Sequence, residues 1–66
     1  MRIDKPRSAI EYTIDEWIFN ERNRAILKRR LLDGITFEKL AEEFELSTQQ
    51  VKTIVYKGQR ILQSHL

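Results

Sequence analysis

Four stretches of this chain space their apolar residues three and four apart, the spacing that collects side chains on one face of a helix. The first, "SAIEYTIDEWIF", aligns Ile10, Ile14, Trp17 and Ile18, with Ser8 as candidate N-cap. A polar leader, residues 1–7, carries the only proline, Pro6, and is expected to stay loose. Asn20 then interrupts the pattern and is a suitable cap for a second helix, "ERNRAILKRRLLD". Phe19, just before that cap, reads as a hydrophobic staple. Gly34 ends the second helix, because a left-handed C-cap favours a residue without a side chain. Thr36 is the third cap candidate, followed by Phe37, Leu40, Ala41 and Phe44. The fourth start is the best marked: Ser47 and Gln50 fit the capping box S-x-x-Q. Beyond it Val51, Ile54, Val55, Gly58, Ile61 and Leu62 form one continuous face.

No stretch alternates as a strand does, and there is no repeat. The pattern predicts an all-α fold, a small four-helix domain spanning residues 1–66. Its expected single core is Trp17, Ile26, Leu27, Leu31, Leu40, Phe44, Leu46, Val51, Ile54, Val55 and Leu62. Gly58 costs a helix about 1 kcal/mol relative to alanine. On the core face, close packing against another helix is the expected reason.

Size and composition then narrow the function. Sixty-six residues allow one small core and leave no room for a deep catalytic cleft with its supporting shells. The absence of cysteine removes disulfides and thiolate zinc sites and suits a reducing cytosol. No apolar run resembles a signal peptide or reaches bilayer length, so a soluble, cytoplasmic protein without a membrane partner is expected. There is no nucleophile–base pair and no phosphate-binding glycine loop. Glu42 and Glu43 are adjacent and point to different sides of their helix. His65 has no ligand partner at a suitable spacing and is expected to be solvated. The chain is therefore not expected to be an enzyme or to hold a metal or cofactor.

A net charge of +2 says little, but its distribution says more. Arg22, Arg24, Lys28, Arg29 and Arg30 follow one another with no acid between them. Asp33, Glu38, Glu42, Glu43 and Glu45 then face a single cation, Lys39. From Leu46 onward Lys52, Lys57 and Arg60 are unaccompanied by any acid. Such a polarised chain suits a polyanionic partner. Solvated helix faces joined by ion pairs would serve the charge pattern equally well.

The junction of the third and fourth predicted helices decides between these. Only about three residues separate Phe44 from the fourth helix, and so tight a turn makes two helices cross steeply, as in a helix-turn-helix unit over residues 36–64. Ala41 permits close approach, and Leu46 is placed to plug the space between the helices. From Arg22 to Leu62, about two thirds of the chain, the sequence resembles region four, the promoter-binding domain, of bacterial sigma factors, in a stand-alone form of phage or mobile-element type. The resemblance is carried by "RNRAILKRRL", the Gly34–Thr36 opening, Leu40–Ala41, Phe44, Leu46–Ser47, Val51, Ile54 and "KGQRIL". Two positions depart from it. Lys39 stands where the family usually has glutamate, which removes a capping-box partner for Thr36 and an ion-pair partner for Arg30. Glu45 replaces the family's small residue near the turn. Nothing corresponds to the other sigma domains.

On a wheel of about 100° per residue, the face opposite Val51, Ile54 and Val55 is led by Gln49, Thr53, Tyr56 and Arg60, flanked by Lys52 and Lys57. This is the composition a major-groove helix needs: amides and hydroxyls for base edges, cations for phosphates, and no carboxylate. Gln49 is suited to adenine, Thr48 and Thr53 to base edges or thymine methyls, and Tyr56 to a phosphate or sugar. The resemblance places Thr48, Gln49, Lys52 and Thr53 at base-facing positions, with Lys57 and Arg60 farther along against phosphates. Thr36 is a candidate phosphate donor at its helix N-terminus. Arg22, Arg24, Lys28 and Arg29 are candidates for flanking phosphates, of which one or two are expected to act, and Arg30 is expected to be structural. The expected partner is double-stranded DNA, in transcription regulation or promoter recognition. The resemblance implies RNA polymerase as a second partner, docked near Ile14 and Ile18 or at the junction of the first two helices. A polymerase-binding module and a DNA-packaging or recombination accessory are the alternatives.

Overall fold

The computed structural model describes residues 5–66, which form four helices and, among the described residues, no strand: α1 Arg7–Trp17, α2 Glu21–Leu31, α3 Phe37–Phe44 and α4 Thr48–His65. Residues 1–4 of the expected leader lie outside the described residues.

The start of α1 differs from expectation. The helix is capped at Pro6, and Ser8 lies inside it. Pro6 holds the flanking, non-helical position at φ −58° and ψ 149° with no side-chain cap bond, and its carbonyl accepts from Ile10 N–H at 3.2 Å. Arg7 is likewise not loose. Its guanidinium donates to Leu32 O at 3.3 Å and Asp33 Oδ1 at 3.1 Å, tying the start of α1 to the end of α2. The hydrogen bond that Arg7 donates to Asp33 is the main cause that raises the pKa of Arg7. Thr13 is the one buried polar side chain among the described residues, and it is satisfied by donating to Ala9 O at 2.8 Å.

The other three caps form as the local sequence predicts. Asn20 accepts from Asn23 N–H and Thr36 from Lys39 N–H. Both halves of the Ser47/Gln50 box are present, at 3.1 and 2.8 Å. Gly34 takes φ +69°, two residues past the C-cap of α2, and its N–H closes on Arg30 O at 3.2 Å.

Glu45 adopts the left-handed backbone itself, at φ 56° and ψ 44°. Two bonds hold this conformation: Leu46 N–H reaches back to Ala41 O at 2.9 Å, and Glu45 N–H to Glu42 O at 3.4 Å. The pairing is that of a Schellman motif, whose left-handed position favours glycine. A side chain there costs roughly 1–2 kcal/mol. Glu45→Gly is therefore expected to raise stability by about 1 kcal/mol, less the extra entropy glycine gives the unfolded chain. An unchanged or lowered urea midpoint would show that the Glu45 side chain contributes something the turn geometry does not reveal.

The interior divides into two clusters rather than the single core expected. One gathers Ile10, Ile14, Ile18, Leu27 and Leu62, with Leu31, Leu32 and Leu66 against it. The other gathers Ile26, Leu40, Ala41, Val51 and Val55, with Ile35, Phe37, Phe44, Leu46 and Ile54 around it. The division starts at α2, where consecutive residues Ile26 and Leu27 point about 100° apart. Gly58 is buried, and a Cβ there would lie 2.5 Å from a methyl of Leu27. Close helix packing is thus its reason.

Two aromatic expectations do not hold. Trp17 is outside the core, 42% exposed, with its ring stacked on His65 at 3.6 Å between centroids. Phe19 is 78% exposed and staples nothing, because the residue one turn into α2 is the polar Arg24. Conversely Ile14 and Ile18 are buried and offer no surface to a partner.

Candidate nucleic-acid interface

The outer face of α4 is built by its own phase. Val51, Val55, Gly58 and Leu62 are buried inward, which turns Gln49, Thr53, Tyr56, Lys57 and Arg60 outward, and all five are exposed. Thr48 and Lys52 sit half-buried at the margins. Every residue expected on this face is therefore on it or at its edge. Thr53 Oγ1 donates to Gln49 O at 3.0 Å, one turn back along the helix, which leaves the hydroxyl oxygen and the Gln49 amide open outward.

One flank is held by α3. The Tyr56 and Phe37 rings pack in a T shape, their centroids 6.0 Å apart at an interplanar angle of 77°. Lys52 Nζ lies 5.8 Å from the same ring. Arg30 packs its guanidinium over that ring at 4.1 Å while donating to Ile35 O at 3.0 Å. Phe37 thus serves as a common support for two ridge residues and anchors Arg30 structurally, without the glutamate that Lys39 displaces. Nothing in the sequence marks this role, since its partners lie on two other helices. Thr36 precedes Phe37 on the same flank. Its Oγ is engaged as the α3 cap and its surface is open.

The charges sort clearly. Arg7 pairs with Glu11 and Asp33, Lys28 with Asp15, and Arg29 with Glu43. Such solvent-screened pairs add little to stability, yet they occupy these cations. Among the described residues Lys52, Lys57 and Arg60 form no ion pair. No carboxylate lies on the outer face of α4, because the helix contains none.

No family model, curated protein or solved structure matches this chain. No group of three or more His, Cys, Asp or Glu residues gathers among the described residues, and no helix there is long and apolar enough to cross a membrane.

A separate cleft of about 340 Å³ runs between the α1–α2 junction and the far half of α4. Ile18, Leu27 and Gly58 contribute to its lining, with Trp17, Phe19, Ile61 and Lys57 at its edges. Its lining comes from three helices, so no single periodicity announces it.

Proposed function

We propose that this chain is a small helix-turn-helix DNA-binding protein of the sigma region four-like type, acting in transcription regulation or promoter recognition. In this reading α3, the left-handed Glu45 turn and α4 form the motif, with α4 as the recognition helix. The observation that carries it is the outer face of α4. Amide, hydroxyl, phenol and three cations outside any ion pair line one ridge, while Arg7, Lys28 and Arg29 are matched to carboxylates. Gln49 and Thr53 read base edges near the start of the helix. Tyr56, Lys57 and Arg60 follow the phosphates beyond them, and Lys52 and Thr36 meet the backbone at the α3 flank. The chain works by binding, with no catalysed step.

Selection from random-sequence duplexes tests this directly. A preferred site should emerge, and Gln49→Ala and Thr53→Ala should each flatten the preference by about 1–3 kcal/mol. Lys57→Ala should weaken all duplexes alike and lower the salt dependence. A Gln49 variant that keeps full preference but loses general affinity would reverse the assigned roles. Absence of duplex binding even at low salt would remove the reading altogether.

One observation favours a second partner. The exposed Phe19, with Trp17 and Ile61 beside the apolar cleft, is surface that DNA has no use for and that a protein such as RNA polymerase would cover. The α1–α2 junction carries this surface, in place of Ile14 and Ile18.

A further inference from the structure

The cleft between the α1–α2 junction and the far half of α4 measures about 340 Å³. Small-molecule sites occupy roughly 300–1,000 Å³ and combine an apolar wall with a few polar groups. Here the wall is apolar through Ile18, Leu27, Ile54 and Gly58. Besides the indole N–H of Trp17, its polar side chains are Asn20, Asn23, Thr53 and Lys57, and none is a carboxylate.

Hydrogen bonds within the protein decide what these side chains have left to offer. Asn20 Oδ1 accepts from Asn23 N–H at 3.1 Å. Asn23 Oδ1 accepts from the Arg22 guanidinium at 3.2 and 3.3 Å. Thr53 Oγ1 donates its proton to Gln49 O at 3.0 Å. Both amide carbonyls are therefore engaged, while both amide NH₂ groups stay open. Lys57 adds an ammonium that forms no ion pair among the described residues. Beside an apolar wall the cleft thus presents mainly donors, one of them charged.

We infer that this cleft binds a small apolar carboxylate, and that its occupancy weakens DNA binding. A carboxylate accepts from the ammonium and the two amides at once, and such charge-assisted bonds are roughly twice as strong as neutral ones. An uncharged head would leave Lys57 unmatched, and a cationic head would oppose it. The hydrocarbon body lies along Leu27 and Gly58, with Trp17, Phe19 and Ile61 at its edges. Ligand binding needs only the cleft, whereas the effect on DNA rests on the DNA-binding reading above. In that reading Thr53 meets base edges and Lys57 a phosphate, and both line the cleft. Lys57 cannot serve a ligand carboxylate and a phosphate together. Linkage then requires that duplex and ligand weaken each other by the same factor.

The probe is octanoate, set against 1-octanol and octylammonium, which carry the same tail on other heads. With about ten non-hydrogen atoms, octanoate should bind at about 1 mM or tighter. Nuclear magnetic resonance follows it through the side-chain amide signals of Asn20 and Asn23. Octanol should bind about tenfold more weakly, and octylammonium more weakly still. Asn20→Asp keeps a good cap for α2 but replaces an amide donor with an anion. It should therefore stay folded, as a thermal melt checks, keep the weak binding of octanol, and lose octanoate affinity by about tenfold. In duplex titrations, saturating octanoate should weaken the wild type about fivefold. Acetate at the same concentration should not, and Asn20→Asp should show no octanoate effect. Octanol or octylammonium matching octanoate, or full octanoate affinity in Asn20→Asp, overturns the site. No shift at millimolar octanoate also overturns it and leaves the cleft to a protein partner. Octanoate binding with unchanged duplex affinity overturns the linkage alone. A wild type that binds octanoate and no duplex overturns the DNA reading, and the linkage with it, while the site stands.

Discussion

Leu27→Ala should destabilise the protein by about 2–5 kcal/mol, and adding Gly58→Ala should restore part of that loss. Leu27 is fully buried, and its δ-methyls lie where a Cβ on Gly58 would stand, at 2.5 and 2.6 Å, with its Cγ at 3.0 Å. In the wild-type background Gly58→Ala brings two opposed effects. Overpacking against an enclosed leucine costs about 1–3 kcal/mol, while alanine gains about 1 kcal/mol of helix propensity. The net should be a loss. Once Leu27 is truncated the clash disappears, and the new methyl fills part of the cavity. The two substitutions should therefore couple by at least about 1 kcal/mol. Urea denaturation of the four proteins measures this. A domain this small holds only a few kcal/mol of stability in total, so Leu27→Ala alone should be largely unfolded. In that case the recovery of a cooperative transition in the double variant is the signal. Additive losses would mean that α2 and α4 do not meet at this point.

The second large effect concerns binding. Lys52→Glu combined with Arg60→Glu should abolish affinity for duplex DNA at moderate salt. Two cations are removed and two carboxylates are set against phosphates, so repulsion adds to the lost counterion release. Arg60 is exposed and Lys52 half-buried, and neither belongs to the two apolar clusters. The melting transition should stay close to that of wild type, apart from the weak contact of Lys52 with Phe37. Any affinity for RNA polymerase should also persist, because the apolar surface around Phe19 is untouched. Parallel titrations against duplex DNA and purified polymerase separate the outcomes. Should the wild type bind polymerase and no DNA at low salt, the outer face of α4 has been given the wrong partner.

What could be read from the sequence was mostly local. The caps at Asn20, Thr36 and Ser47 depend on residues within one turn, and each forms in the structure. The outward phase of Gln49, Thr53, Tyr56 and Arg60 follows from helix geometry once α4 exists. The errors came where partners are distant in the chain. Trp17 shares the spacing of Ile10 and Ile14 but sits at the helix end, where periodicity no longer says what lies opposite. Phe19 was assigned a staple from its place before a cap, although its would-be partner is an arginine. The start of α1 falls after Pro6 rather than at Ser8, with no side-chain bond to mark it. The state of the α2 cations was hidden for the same reason. Asp15 and Glu43, which occupy Lys28 and Arg29, belong to other helices.

The stack of Trp17 on His65 makes the protein its own optical probe. Trp17 is the only tryptophan, so intrinsic emission comes from the place where the end of α1 meets the last turn of α4. The stacked imidazole shields one face of the indole from water, and a frayed α4 terminus would bare it. Mild heating should therefore shift the emission to the red, as the terminal turn lets go, before the far-ultraviolet dichroism falls. Loss of dichroism on heating would follow the two interior clusters instead. Tracking both signals in one sample would separate undocking of the C-terminal turn from global unfolding, with no label attached.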